Sequence, residues 1–159
     1  MKTIIIGLGN PILSDDSVGI KVARKIKERV KSQANISIDI IEAYAGGIRL
    51  MDELVGYDRA FIVDAMVTKD NTPGAIRSLS FSDLISTRNM VCAHDMNLPT
   101  AIEMGRMLGM RLPSEIRIWG IEAADVETFG EELTEDVAKA VPLAVERVMD
   151  ELRNEGRQL

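Results

Sequence analysis

The opening segment of the chain, residues 1–19, joins a buried strand to a glycine-rich loop and the start of a helix. Residues 3–6 are an uninterrupted β-branched run, which is typical of a strand covered on both faces of a parallel sheet. Glycine, asparagine and proline break this run between Gly7 and Pro11. Apolar residues then recur at every fourth position from Val18 to Val30, which predicts an amphipathic helix over residues 18–31. This order favours an α/β fold with its ligand site beyond the first strand.

The rest of the chain continues the alternation of apolar strands and amphipathic helices. Strands are predicted at residues 36–42, 59–63, 75–81 and 115–121, and helices at 48–55, 98–108 and from Thr134 onward. The connection between residues 64 and 75 is too short for a helical crossover, so the strand at 75–81 is predicted to be antiparallel. The sequence therefore predicts a single domain spanning residues 1–159, a three-layer α/β/α sandwich whose mostly parallel central sheet has one antiparallel strand.

Composition and charge argue against several classes of partner and location. The chain has 159 residues with a net charge of -6, which argues against a nucleic-acid partner, since such a partner requires a clustered basic face. Its one cysteine, Cys92, cannot form an internal disulfide, so a reducing cytoplasm is the expected location. No apolar run approaches the roughly 20 residues of a bilayer span, and no signal-peptide pattern is present, so membrane insertion is not expected.

Three side chains with metal-ligating chemistry fall in separate loops of the predicted fold. Asp16 follows the first strand, Asp64 follows the apolar run at 59–63, and His94 precedes the helix at 98–108. Parallel strands would bring these loops to one edge of the sheet. Two carboxylates and an imidazole form a mixed ligand set that suits zinc or nickel and leaves positions open for water or substrate. The simpler alternative is that each residue serves local structure, as a helix cap, a turn or a core histidine.

The acids beside these candidates have other predicted uses. Asp15 is the better candidate for capping the helix at 18–31, because short polar side chains at a helix start accept bonds from free N–H groups. Glu42, at the end of the second strand, is predicted to be either a fourth acid at the site or a partner of its ligands.

Other chemistries fit the sequence less well. A dinucleotide fingerprint would start at Gly7-Leu-Gly9, but Ile12 stands where the third small residue is needed. A P-loop is absent because no Gly-Lys-Ser/Thr follows these glycines. Cys92 and His94 are two residues apart and could pair on an extended segment, yet a buried, inert cysteine is the commoner arrangement.

The ordered motifs resemble those of the hydrogenase maturation endopeptidases. The resemblance covers nearly the whole chain, and no single motif is decisive, whereas the ordered set is specific. The matching segments are Gly7-x-Gly9-Asn10 with Asp15-Asp16-x-x-Gly19, Ala45-Gly46-Gly47, Ile62-Val63-Asp64-Ala65, Pro73-Gly74, the His94 loop before Leu98, and Leu133-Thr134 with Pro142. Ser17 stands where many members have glycine, and Glu42-Ala43-Tyr44 replaces the usual aspartate with glycines.

This resemblance implies an enzyme that removes the C-terminal extension of a nickel–iron hydrogenase large-subunit precursor after nickel insertion. It implies that Asp16, Asp64 and His94 engage the nickel held by the precursor, so that the substrate supplies the metal. It also implies a phosphorylase/hydrolase-like sandwich, no organic cofactor, and no serine or cysteine nucleophile. Two alternatives remain. One is a metal-sensing maturation chaperone without hydrolysis, and the other is a peptidyl-tRNA hydrolase-like esterase, whose Gly-Leu-Gly-Asn-Pro opening is matched only at residues 7–11.

Overall fold

A five-stranded sheet forms the centre of the molecule. The structure is a computed structural model that describes residues 1–32, 38–44, 46–81 and 97–155. The strands are β1 (Thr3–Leu8), β2 (Ile38–Ala43), β3 (Arg59–Met66), β4 (Ile76–Ser80) and β5 (Glu115–Glu122), in the spatial order β2-β1-β3-β5-β4. All neighbouring pairs are parallel except β4 and β5.

Helices cover both faces of this sheet. They are α1 (Val18–Lys31), α2 (Gly47–Leu54), α3 (Leu98–Met107) and α4 (Glu135–Glu155). Ile5 of β1 packs in a core with α1 and α4, whereas Ile4 and Ile6 pack in a second core with α2 and α3. Both sides of β1 are thus buried, which explains its unbroken apolar run. Within the described ranges, no helix has the length and apolar character that a bilayer span requires.

The topology creates a crevice where the parallel strands end, which we call the carboxyl edge. The chain leaves β1 toward β2 through α1 on one face. It leaves β3 toward the other end of the sheet, where it forms β4, and reaches β5 through α3 on the opposite face. Adjacent strands whose connections depart to opposite faces form a topological switch point, where open α/β sheets bind ligands. The switch point here lies between β1 and β3.

The predicted fold class is confirmed, and the differences concern element boundaries. The α1 bounds and the antiparallel direction of β4 are as predicted. The β3 prediction was too short, because pairing with β5 continues through Asp64 to Met66. Asp64 is therefore inside the strand rather than in the loop after it. Residues 36 and 37 of the predicted second strand, and all of 82–96, lie outside the described part of the chain.

Candidate functional site

Asp16 and Asp64 lie on two segments that pack together at the switch point. Asp16 belongs to a short 3₁₀ turn, Ser14–Ser17, which we call the acidic turn and which leads directly into α1. The acidic turn contacts β3, the strand that carries Asp64. The residue Asp16 is 2% exposed and Asp64 is 0% exposed. The structure therefore brings together the segments of two predicted site residues and buries both carboxylates.

Two glycines allow this close packing. A side chain on Gly9 would place its Cβ 2.1 Å from the carbonyl oxygen of Asp16, and one on Gly19 would place it 2.2 Å from the carbonyl oxygen of Val63. Both separations are far below van der Waals contact, so only glycine fits. Because Val63 directly precedes Asp64, Gly19 holds the start of α1 against the part of β3 that carries the second acid.

Asp15 does not cap α1, contrary to the prediction. Neither the acidic turn nor α1 has a side-chain cap hydrogen bond. Asp15 Oδ2 instead accepts bonds from the N–H groups of Ala124 and Asp125, both 2.9 Å, and from the Thr134 hydroxyl at 2.8 Å. Its Oδ1 accepts the Thr134 N–H at 2.8 Å. Asp15 thus ties the acidic turn to the segment between β5 and α4, which we call the arm (residues 123–134).

Glu42 lies next to β1 and is bonded to α1. Its two carboxylate oxygens accept hydrogen bonds from Arg24 Nε at 2.7 Å and Nη2 at 2.9 Å, and Tyr44 donates to the same group at 3.2 Å. The Arg24 hydrogen bonds hold the pKa of Glu42 below its usual range. Because both oxygens already accept hydrogen bonds, this arrangement favours a supporting role for Glu42 over that of a fourth ligand.

The third predicted ligand, His94, lies outside the described residues, as does Cys92. Within the described ranges, no three His, Cys, Asp or Glu side chains gather closely enough to hold a metal ion on their own. The ligand set that needs Asp16, Asp64 and His94 together therefore stays a prediction. The described part supplies two buried carboxylates at the switch point, which are hard oxygen donors for a cation.

A buried acid that the sequence interpretation missed is Glu122. It is the last residue of β5, and its carboxylate accepts bonds from the N–H of Thr68 at 2.8 Å and from the Thr68 hydroxyl at 3.0 Å. The signal that pointed to Asp64, an acid at the end of an apolar strand, was also present here. Glu122 holds the segment after β3 at the carboxyl edge, so its carboxylate serves the framework of the site.

The chain is similar to known proteins over most of its length. The family model for hydrogenase maturation protease (HycI) matches residues 20–151. The hydrogenase 2 maturation protease of Escherichia coli strain K12 is 25% identical over 98% of this chain and 93% of its own length.

Two solved structures of similar proteins cover nearly the whole chain. The hydrogenase maturating endopeptidase HybD from E. coli superposes with a TM-score of 0.73 at 25% identity, covering 98% of this chain and 94% of its own. The NiFe hydrogenase maturation protease HybD from Thermococcus kodakarensis has a TM-score of 0.63 at 25% identity, covering 94% of this chain and 98% of its own. The likeness therefore extends over the sheet and both helical layers.

Proposed function

This chain belongs to the hydrogenase maturation protease family, and from that premise we propose that it is an endopeptidase that removes the C-terminal extension of a nickel–iron hydrogenase large-subunit precursor. Cleavage follows nickel insertion, and the bound nickel is recognised as part of the substrate. The single cysteine suits a reducing environment, so we place the reaction in the cytoplasm.

The observation that carries this proposal is the burial of two carboxylates on neighbouring segments at the switch point. Asp16 and Asp64 are both buried there, at the edge where open α/β sheets bind their ligands. His94 is the imidazole donor proposed to complete the set. A nickel ion already held by the precursor would meet two oxygen donors and one nitrogen donor, which is a set that nickel accepts.

These residues give the protein a way to test metal loading before hydrolysis. The carboxylates of Asp16 and Asp64 bind the cation of the substrate, and this contact places the precursor's C-terminal segment against the carboxyl edge. Hydrolysis adds water across one peptide bond and yields a new carboxylate and a free amine. The metal held by the substrate can supply Lewis-acid polarisation of a nearby carbonyl. Positioning by the two acids limits cleavage to the loaded precursor.

The test compares nickel-loaded and nickel-free precursor in the same assay. We expect the loaded precursor to be shortened at its C-terminus, as seen by intact-mass spectrometry, and the nickel-free precursor to remain whole. Equal cleavage of both forms would refute recognition through nickel. Binding of the loaded precursor without cleavage would favour the maturation chaperone, and hydrolysis of peptidyl-tRNA would favour the esterase.

A further inference from the structure

We propose that the precursor docks on an apolar and acidic surface beside the acidic turn, formed by Ile12, Phe129, Glu127, Glu131 and Glu132, which we call the docking rim. This inference rests on the proposed function, because it names the surface by which that substrate is held. Ile12 is 52% exposed and Phe129 is 79% exposed. Large exposed apolar side chains that lie together on a surface are typical of interaction sites.

The docking rim is connected to the candidate site through backbone contacts. Leu13 forms isolated bridges with Phe129 and Gly130, and the N–H of Gly130 donates to the Ile12 carbonyl at 2.9 Å. The N–H of Asp16 donates to the Leu13 carbonyl at 2.8 Å. Phe129 is thus joined through one residue, Leu13, to the turn that carries Asp16. A substrate whose metal reaches Asp16 covers this rim as it binds.

The arm that presents Phe129 is anchored by hydrogen bonds. Asp15 holds the arm at Ala124, Asp125 and Thr134. The carboxylate of Asp125 accepts from the N–H groups of Glu127 and Thr128 at 3.0 and 2.9 Å. A surface that is ordered before binding loses less conformational entropy when its partner arrives. Phe129 is therefore well placed to act as an aromatic anchor for the partner.

Charge indicates what kind of segment fits the docking rim. Between Arg117 and Lys139 the chain has no lysine or arginine, whereas Glu127, Glu131 and Glu132 are all exposed. Although Glu131 lies near Lys21 and Arg24 of α1, the exposed apolar side chains stand beside a run of carboxylates, and such a surface is complementary to a segment that carries apolar and basic side chains. The occupant to which we commit is such a segment of the large-subunit precursor, since the rim is continuous with the turn that is proposed to meet its metal.

The experiment compares Phe129→Ser with Met107→Ser in the full-length protein. Met107 is a matched control, because it is 82% exposed but lies at the end of α3, near the opposite edge of the sheet. The dissociation constant is measured by titration with nickel-loaded precursor, and kcat and KM by cleavage of the same precursor. We expect Phe129→Ser to raise Kd and KM about tenfold with kcat nearly unchanged, and Met107→Ser to stay within about twofold. Raising the salt concentration should weaken wild-type binding.

The outcomes separate this inference from the proposed function. Wild-type Kd and KM for Phe129→Ser would overturn the docking rim, even if cleavage required nickel. A wild-type dimer in sedimentation experiments that Phe129→Ser dissociates would also overturn it, since a second copy would then be the occupant. If the wild-type protein binds the precursor without cleaving it, the proposed hydrolysis fails, and the Kd comparison still decides the docking surface.

Discussion

Four acids at the carboxyl edge of the sheet are buried, whereas two acids at the amino edge, where the parallel strands begin, are partly or fully exposed and lie beside cations. The buried group consists of Asp15, Asp16, Asp64 and Glu122. At the amino edge, Asp39 accepts from the Tyr57 hydroxyl at 2.7 Å and is 3.8 Å from the Lys2 ammonium. Asp58 pairs with Arg111 and accepts from the Lys2 N–H at 2.6 Å.

The two edges differ in what balances the negative charge. Water and long basic side chains do so at the amino edge, where an ion pair contributes only about 0–1 kcal/mol and is easily replaced. At the carboxyl edge, Asp15 and Glu122 depend on neutral N–H and O–H donors instead. These hydrogen bonds offset the desolvation cost of burying the two carboxylates. The two edges therefore differ in how their acids are held, and the proposed chemistry lies at the edge where the acids are buried.

The largest expected effect is the loss of cleavage when Asp16 is changed, which tests the chemistry proposed at the carboxyl edge. Asp16→Asn keeps the size of a buried side chain while removing the charge proposed to meet the substrate's nickel. We expect kcat/KM for the nickel-loaded precursor to fall by at least about 100-fold, since even residues that only support metal ligands cost roughly 10–100-fold when changed. The measurement is the initial rate of precursor shortening.

The control for this variant is Asp39→Asn, which changes an exposed acid at the amino edge in the same way. We expect it to cleave at the wild-type rate. The proposed role of Asp16 would be refuted if the two variants lost activity to a similar extent, or if folded Asp16→Asn remained as active as the wild type.

The sequence predicted the framework better than the uses of its acids. The α1 bounds follow from a stripe of apolar residues that lies within one helix, and the parallel sheet follows from the lengths of the connections. The role of Asp15 was wrong because its partners are distant: Ala124 is 109 residues away, and local patterns report only local caps. The contact of Ile12 with the arm was not predicted for a similar reason, since loops carry no periodic signal that would reveal their distant partners. The metal role of Asp16, Asp64 and His94 stays a prediction.

A smaller effect is expected when Asp15 loses its charge. Asp15→Asn replaces one carboxylate oxygen with an amide N–H₂ group, which cannot accept and faces a backbone or hydroxyl donor of the arm. Hydrogen bonds to a charged group contribute about 1.5–3 kcal/mol, so we expect the free energy of unfolding to fall by about 2–3 kcal/mol. Urea denaturation followed by circular dichroism measures this change.

Asp39→Asn again supplies the comparison, because the amide oxygen can still accept from the Tyr57 hydroxyl. We expect that variant to lose no more than about 1 kcal/mol, as is usual for exposed pairs. Equal losses of unfolding free energy for the two variants would show that a buried acid at the carboxyl edge contributes no more stability than an exposed acid at the amino edge.

The smallest expected effect is a pH dependence at the amino edge. The N–H of Lys2 and then the guanidinium of Arg111 lower the pKa of Asp58 in the folded protein. A depressed pKa means that Asp58 contributes stability above its unfolded value of about 3.9, and that this contribution is lost as the pH falls through the lower folded value. Asp58→Asn should therefore be less stable than the wild type at neutral pH, and the gap should close on acidification below pH about 4. Denaturation midpoints at a series of pH values measure the gap. A stability gap that widens toward low pH would contradict the lowered pKa of Asp58. The exposed acids of the amino edge could then no longer serve as the reference for the buried acids of the carboxyl edge.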